Sequence, residues 1–293
     1  MTQKIKCKHC GKSHYIKKGF RKTEKRGNIQ KYKCLECGKY FTNDDGFYRM
    51  RNNEKKIAMA VDMYLSNLSS RKMRNQLMRH FEYKISHVSI LDWVRRYVLK
   101  VQKFVDKLKP ELSGELYADE TEIPRSQRKD KKNDIFWCSV DWRTRFINAT
   151  LYSPHSQNMK DATEFMNRIR RYGRPKYIQT DALPFYPKAF RKTFYTRFKK
   201  DKVKHIINNI TKTKKHNVRI ETVFSKIKDR IADFRGLKAL WSAPIIMAGL
   251  ILQHNFIEPH TTTGKLPCEL ANLELDIGLN RWLGMIKISS CLI

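Results

Sequence analysis

The sequence has little acidic charge. Its 293 residues include 28 Asp and Glu against 61 Lys and Arg, which gives a net charge of +33 at pH 7. A chain this basic repels itself when it folds, unless a polyanion neutralises it. Nucleic acid is the usual polyanion, and basic side chains gain affinity for it by releasing its counterions. The charge therefore favours a nucleic-acid partner, although ribosomal and membrane-surface proteins share this composition.

Long hydrophobic runs are also lacking. The most apolar stretch, Ala243 to Leu252, is far shorter than the roughly twenty residues of a membrane-spanning helix, so we interpret it as a buried core helix. The sequence starts with polar and basic residues and shows no signal peptide. Its seven cysteines, an odd number, argue against a secreted disulfide framework. These absences predict a cytoplasmic protein with no membrane partner.

Four segments of the chain differ in their residue pattern. Residues 1–48 have little helical periodicity, whereas residues 52–105 have helical spacing throughout. Residues 113–260 alternate strand-like and helix-like stretches and close with the apolar helix. Residues 261–293 are loosely patterned. We therefore expect two small modules, a larger domain and a C-terminal tail, with no internal repeat.

The larger domain is predicted to begin with three strands and to continue with alternating helices and strands. Aromatic and β-branched residues mark the strands, and polar turns separate them. The predicted strands cover residues 115–123, 135–142, 145–152, 176–181 and 204–210, and the predicted helices cover residues 158–171, 184–194 and 217–234. This order predicts an α/β fold with a mixed sheet flanked by helices.

Two Cys-x-x-Cys pairs lie in the first segment. Cys7 and Cys10 form one pair, and Cys34 and Cys37 form the other. A two-residue gap lets both thiolates of a pair reach one ion, and four thiolates complete a tetrahedral zinc site. The spacing predicts a zinc ribbon, and the alternative is four unrelated reduced thiols. Aromatic residues interleaved with the ribbon's basic residues either contact DNA or form the ribbon's small core.

The second segment has the pattern of a helix-turn-helix module. Residues 68–70 supply a turn between two amphipathic stretches, and Ser86 is a predicted cap for a third, basic helix. In such modules the last helix enters the major groove, which would bring Arg95 and Arg96 near phosphate. The alternative is a plain helical bundle that joins two domains.

Three acidic residues of the third segment stand at positions suited to a metal site. Asp119 lies in the middle of a predicted strand, where a carboxylate is costly to bury unless it is paired or bound to a cation. Asp181 lies at the end of another predicted strand, the position at which open α/β sheets bind ligands. Glu221 borders the apolar stripe of the last predicted helix, and Lys228 follows two turns later.

Converging carboxylates repel one another and stay ionised together only with divalent cations. Oxygen ligands select Mg²⁺ or Mn²⁺, and two such ions about 4 Å apart stabilise the attacking and leaving oxygens at a phosphodiester. Lys228 is placed to steer DNA phosphate. Each residue alone also has an ordinary structural interpretation: a turn-forming Asp, a Glu that complements the helix dipole, a solvated Lys.

In this order the motifs resemble the insertion-sequence transposases of the DDE type, and most closely the family usually numbered six. The resemblance covers about residues 1–270. It rests on YADET around Asp119, QTDALPFY around Asp181, HNVRIETVFSKIKDRI around Glu221, and the ribbon, LSSRKM, SHVSILDWVRRY and LILQHNFIEPHT segments. It implies an RNase H-like catalytic core with Asp119, Asp181 and Glu221 as the catalytic triad.

The resemblance also implies a reaction and an assembly. Water would cleave DNA at the element ends, and the freed 3′ hydroxyl would attack target DNA. A homo-oligomer, at least a dimer, would pair two ends. Three alternatives stay open: a transposase-derived DNA-binding regulator without catalysis, an RNA- or ribosome-binding zinc-ribbon protein, and a nuclease that cuts without joining.

Overall fold

A computed structural model of the chain describes residues 5–23, 27–42, 46–47, 50–126, 132–154, 157–208 and 218–291. The strands are β1 (Tyr15–Thr23), β2 (Gly27–Cys34), β3 (Tyr40–Thr42), β4 (Glu115–Ile123), β5 (Asp134–Asp141), β6 (Ile147–Ser153), β7 (Tyr177–Thr180) and β8 (Lys204–Ile207). The helices are α1 (Glu54–Leu65), α2 (Ser70–Phe81), α3 (His87–Val105), α4 (Met159–Arg170), α5 (Phe185–Phe194), α6 (Val218–Asp233), α7 (Ala243–Leu252), α8 (Pro267–Leu270) and α9 (Arg281–Cys291).

Contacts within the chain divide it into two units. The first comprises Met1–Tyr64, Ser70–Lys107 and Asp276–Ile293, and the second comprises Leu65–Ser69 and Leu108–Leu275. The residues expected to form a C-terminal tail thus contain two helices and are shared between the units. The division into four segments stays a prediction.

The first unit begins with an antiparallel sheet in the order β1-β2-β3. Tyr32 and Phe41 are buried and stacked on each other, and Tyr15 packs edge-on against both rings. Phe20 and Tyr40, in contrast, are at least half exposed. The aromatic residues of this segment therefore include both its core and exposed rings among its basic side chains.

Helices complete the first unit. The Ser86 hydroxyl accepts a hydrogen bond from the Ser89 backbone N–H, so Ser86 caps α3 as predicted. One face of α3, which includes Trp93 and Tyr97, is buried, and α3 packs against α2 and α9. Val88, in the first turn of α3, is exposed although it is apolar.

The second unit is built on a five-stranded sheet in the order β6-β5-β4-β7-β8. The first three strands of this order are antiparallel neighbours, whereas β4, β7 and β8 run parallel. This mixed sheet flanked by helices confirms the predicted RNase H-like α/β fold. The observed bounds lie within three residues of the predicted ones, except that residues 209, 210 and 217 fall outside the described part of the chain.

Helices cover both faces of this sheet. Every residue of β5 is buried, as expected for a strand covered on both sides. On one face, Phe165 of α4 and Tyr186 of α5 pack in a core cluster with Leu116 and Ala118 of β4. The sequential side chains of a strand alternate between faces. α6 contacts β4 and β5 and buries its own apolar stripe.

The apolar helix α7 has the predicted bounds, and a π-helical turn, Gln253–Ile257, continues it. Most of its residues are buried, in agreement with its interpretation as a core helix. Among the helices of the described ranges, none is both long and apolar enough to cross a membrane.

Candidate active site

The central strand β4 carries two adjacent acids, Asp119 and Glu120. Glu120 is an even number of residues from Leu116 and Ala118 along the strand. Leu116 and Ala118 belong to the core cluster under α4 and α5. Because neighbouring side chains of a strand point to opposite faces, Glu120 leaves β4 towards α4 and α5. Asp119 leaves it on the other face, where α6 contacts the strand.

Two hydrogen bonds hold the Glu120 carboxylate. The hydroxyl of Tyr186, which is buried on α5, donates to Oε2. The amide of Gln157 donates to Oε1 at 2.9 Å. Each oxygen of Glu120 therefore already has a donor from the protein.

Asp181 reaches the same place because β7 ends there. The parallel pairing sets Tyr117 of β4 opposite Gln179 of β7. Continued by two residues, this register brings Asp181 level with Asp119, just after β7 ends at Thr180. The Leu183 backbone N–H donates to Asp181 Oδ1 at 3.0 Å, which fixes the turn.

The carboxylates of Asp119, Glu120 and Asp181 meet at the end of β7. One oxygen of each lies within 4.8 Å of the others, and all three residues are half-buried. The meeting of Asp119 and Asp181 was predicted. Glu120 was not, because strand alternation places it on the opposite face from Asp119. The available signal in the sequence was the second acid of YADET, directly after Asp119.

Glu221 and Lys228 lie on α6 with exposed side chains. Glu221 is not in the group of oxygens within 4.8 Å. Both residues nevertheless act on Asp119, since the charge of Glu221 raises its pKa and that of Lys228 lowers it. The structure thus brings Asp119 and Asp181 together and sets Glu221 and Lys228 within electrostatic reach of Asp119.

The surroundings of these three carboxylates disfavour their ionised forms. Burial, followed by the charge of Asp181, raises the pKa of Asp119 to about 7. Burial also raises the pKa of Glu120 to about 8, although the hydrogen bond from Tyr186 lowers it. The pKa of Asp181 is raised by burial as well. Without a cation these carboxylates hold protons at a pH where isolated ones do not.

A known protein family matches this part of the chain. Residues 118–260, just under half of the chain, match a family model described as a DDE domain, of the IS240 transposase type. The match begins one residue before Asp119 and includes Asp181, Glu221 and Lys228. Residues 118–260 are similar to this family, and we refer to them as the DDE domain. No curated protein sequence matches the chain.

Solved structures with a similar course of the backbone include viral and transposase chains. A chain of the simian T-cell lymphotropic virus intasome is 14% identical with a TM-score of 0.40, and the match covers 55% of each chain. The HTLV-2 integrase catalytic core domain in complex with magnesium is 14% identical with a TM-score of 0.38, over 55% of this chain and 97% of that one.

The Drosophila P element transposase in a strand transfer complex is 10% identical with a TM-score of 0.37, over 56% of this chain and 42% of that one. This chain therefore spans about half the length of the simian viral chain and less than half of the P element transposase. Because no score reaches 0.5, the fold assignment of the DDE domain rests on its own strand order.

The oxygens in the DDE domain fit a divalent cation. All ligand atoms offered by Asp119, Glu120 and Asp181 are carboxylate oxygens, which Mg²⁺ and Mn²⁺ prefer. A bound cation would also offset the burial and the repulsion that together raise the pKa values of Asp119 and Glu120. The donor chemistry and the electrostatics therefore point to the same kind of ion.

The first unit holds a second ligand cluster. The sulfurs of Cys7, Cys10, Cys34 and Cys37 lie within 4.8 Å of one another. Each pair is closed by a knuckle, in which the N–H of Gly11 or Gly38 donates to the carbonyl of the first cysteine and the glycine has a positive φ. The four cysteines fit a tetrahedral zinc ion, as their spacing predicted.

We expect Mg²⁺ to stabilise the protein more as the pH rises from 5.5 to 8. Asp119 and Glu120 have raised pKa values, so the metal-free folded state binds more protons than the unfolded state between about pH 4 and 8. The contribution of these two groups to the free energy of unfolding is therefore largest below pH 4, and it falls as the pH rises. Mg²⁺ binds the ionised carboxylates and should therefore offset this loss. The measurement is the Mg²⁺-dependent shift in unfolding temperature at each pH.

Two variants control that experiment. Asp181→Asn should lose most of the Mg²⁺-dependent shift at pH 8, whereas Glu164→Gln, on the exposed side of α4, should keep it. A shift that does not depend on pH, or that survives in Asp181→Asn, would contradict a metal site at this cluster.

We expect the purified protein to contain about one zinc ion per chain, since the cluster offers one set of four thiolates. Cys34→Ser should reduce the zinc content measured by mass spectrometry, and it should lower the unfolding temperature. Cys268→Ala, which replaces a buried cysteine of the second unit, should retain the zinc. Equal zinc content in both variants would argue for four unrelated thiols.

Proposed function

We propose that this chain is a DNA transposase, which cleaves DNA at the ends of a mobile element and joins the freed 3′ hydroxyl to target DNA. The observation that carries this proposal is the meeting of Asp119, Glu120 and Asp181 within 4.8 Å in a DDE domain. When bound, two Mg²⁺ or Mn²⁺ ions about 4 Å apart would stabilise the attacking and leaving oxygens of a phosphodiester.

Asp119, Asp181 and Glu221 are the proposed metal ligands and the catalytic triad. Asp119 faces the side of the sheet that α6 covers, and Glu221 on α6 influences its pKa. Glu120 lies closer to Asp181, but both of its oxygens accept hydrogen bonds and it faces α4 and α5. We therefore assign Glu120 the role of fixing the position of β4 through Tyr186, and Glu221 that of third ligand.

The reaction has two displacements at phosphorus. In the first, water attacks the phosphodiester at the element end, the P–O bond to the 3′ oxygen breaks, and a 3′ hydroxyl is released. In the second, this hydroxyl attacks a target phosphodiester and loses its proton, the P–O bond to the target's own 3′ oxygen breaks, and that oxygen leaves as a 3′ hydroxyl. Lys228, two helical turns from Glu221, would contact a DNA phosphate beside the carboxylates.

DNA is the proposed partner of the other segments as well. The net charge of +33 favours a polyanion. The cysteine cluster with exposed basic and aromatic residues fits a zinc ribbon that contacts DNA, and the capped α3 fits the last helix of a helix-turn-helix module. We propose a homo-oligomer, at least a dimer, because transposition joins two element ends.

The test uses labelled duplex DNA with the terminal repeats that flank the coding region. With Mg²⁺ the protein should cleave this DNA and join it to a target, and Asp181→Asn should bind it without reaction. Binding without reaction by the unaltered protein would favour a DNA-binding regulator. Cutting without joining would favour a nuclease, and binding of RNA in preference would favour a ribosome-type zinc-ribbon protein.

A matched pair of variants tests the third ligand. Glu221→Gln should reduce the cleavage rate by well over a hundredfold. Glu120→Gln should cost about ten- to a hundredfold, the usual loss for a residue that supports a metal site without binding the ion. The reverse ranking, with Glu120→Gln more damaging, would make Glu120 the ligand and leave Glu221 outside the site.

A further inference from the structure

A second surface of the DDE domain combines exposed aromatic rings with positive charge. Between α5 and β8 the structure has a groove of about 650 Å³. We call it the α5–β8 surface, lined by Phe190, Arg191, Tyr195, Arg197, Lys202 and His205. Tyr195 and, three residues later in the same loop, Phe198 are each 68% exposed. Two large exposed rings in one short loop are unusual for a solvated surface.

The charge around these rings is of one sign. From Lys188 to Lys204 the chain has eight Lys and Arg residues and one acid, Asp201. Arg191, Arg197 and Lys202 contribute directly to the groove. This potential attracts a polyanion, and it disfavours a second copy of the same basic surface.

The backbone that presents the rings is fixed. The Arg174 guanidinium donates hydrogen bonds to the carbonyls of Phe194, Tyr195 and Asp201 at 3.0, 3.4 and 3.3 Å. Under the loop, Phe190 stacks on His205 with ring centroids 4.5 Å apart. The backbone that carries the exposed aromatic residues is therefore ordered before any ligand binds, which lowers the entropic cost of binding.

The exposed aromatic residues of this surface lie at the opposite end of α5 from the carboxylate group. Asp181 follows the carboxyl end of β7, whereas Lys204 at the start of β8 pairs with Tyr177 at the other end of β7. α5 begins near Asp181 and extends for ten residues, about 15 Å, towards Tyr195. The proposed metal chemistry makes no use of Tyr195 or Phe198.

From these observations we infer that the α5–β8 surface binds unpaired nucleotides of single-stranded DNA. Cationic side chains follow the phosphates, and exposed rings stack on the bases, which duplex DNA does not offer. An apolar protein partner would not need the positive charge, and a duplex backbone would not need the rings. The inference concerns binding alone, so it does not depend on catalysis by Asp119 and Asp181.

The test measures binding of a labelled oligothymidylate by fluorescence anisotropy. The full-length Asp181→Asn protein, which leaves DNA uncut, is the background, and saturating unlabelled duplex occupies the duplex sites. Tyr195→Ala combined with Phe198→Ala should weaken oligothymidylate binding about tenfold or more, because loss of a stacked base typically costs fivefold or more. The salt dependence should stay unchanged, since the cations remain.

Two further variants separate stacking from apolar contact. Tyr195→Phe keeps both rings and should bind like the background protein. Tyr195→Leu with Phe198→Leu keeps apolar area but no ring, and it should bind as weakly as the alanine pair. Retained binding by the leucine pair, or by the alanine pair, would overturn the inference, as would an equal loss of affinity for duplex DNA alone.

Photocrosslinking locates the contact directly. An oligothymidylate in which bromouracil replaces thymine should crosslink to Tyr195 or Phe198, as identified by mass spectrometry. Crosslinks confined to other segments would overturn the inference. So would a change in the oligomeric state of the alanine pair by light scattering, because it would identify the surface as an interface between copies of the chain.

Discussion

The second unit depends on one constraint: three half-buried carboxylates must share a small volume at the end of β7. Burial raises the pKa values of Asp119, Glu120 and Asp181, and repulsion by neighbouring acids adds to the rise at Asp119 and Glu120, so the metal-free site is held at a cost in stability. Such a cost is tolerated where function needs it. A divalent cation removes it, which links metal binding, local stability and the proposed chemistry in a single equilibrium.

The sheet supports this group from both faces. β5 is fully buried beside β4, and the core under α4 and α5 fixes the position of β4. Tyr186 extends from that core to the Glu120 carboxylate. On the other face, α6 packs on β4 and β5 and buries its apolar stripe, and it carries Glu221 and Lys228 with exposed side chains. A change in the packing of either face would therefore alter the positions of the acids.

Much of this arrangement could be predicted from the sequence. Strand and helix patterns predicted the order of β4 to β8 and α4 to α7, because aromatic and β-branched runs mark the strands, apolar stripes mark α4 to α6, and a continuous apolar run marks α7. The Cys spacing predicted the sulfur cluster, and the motifs predicted that Asp119 and Asp181 meet. The place of Glu120 in this group was not predicted, because it depends on where β7 ends and on the position of Tyr186. Both are set by tertiary packing. The helix α9 was not predicted, because its apolar residues form only a weak helical pattern.

Anomalous diffraction from crystals of the protein grown with Mn²⁺ tests the central claim most directly. The account predicts an anomalous peak at the end of β7, about 2.2 Å from carboxylate oxygens of both Asp119 and Asp181. It predicts that this peak is absent from crystals of Asp181→Asn. Manganese bound only elsewhere, or unchanged in the variant, would contradict the account.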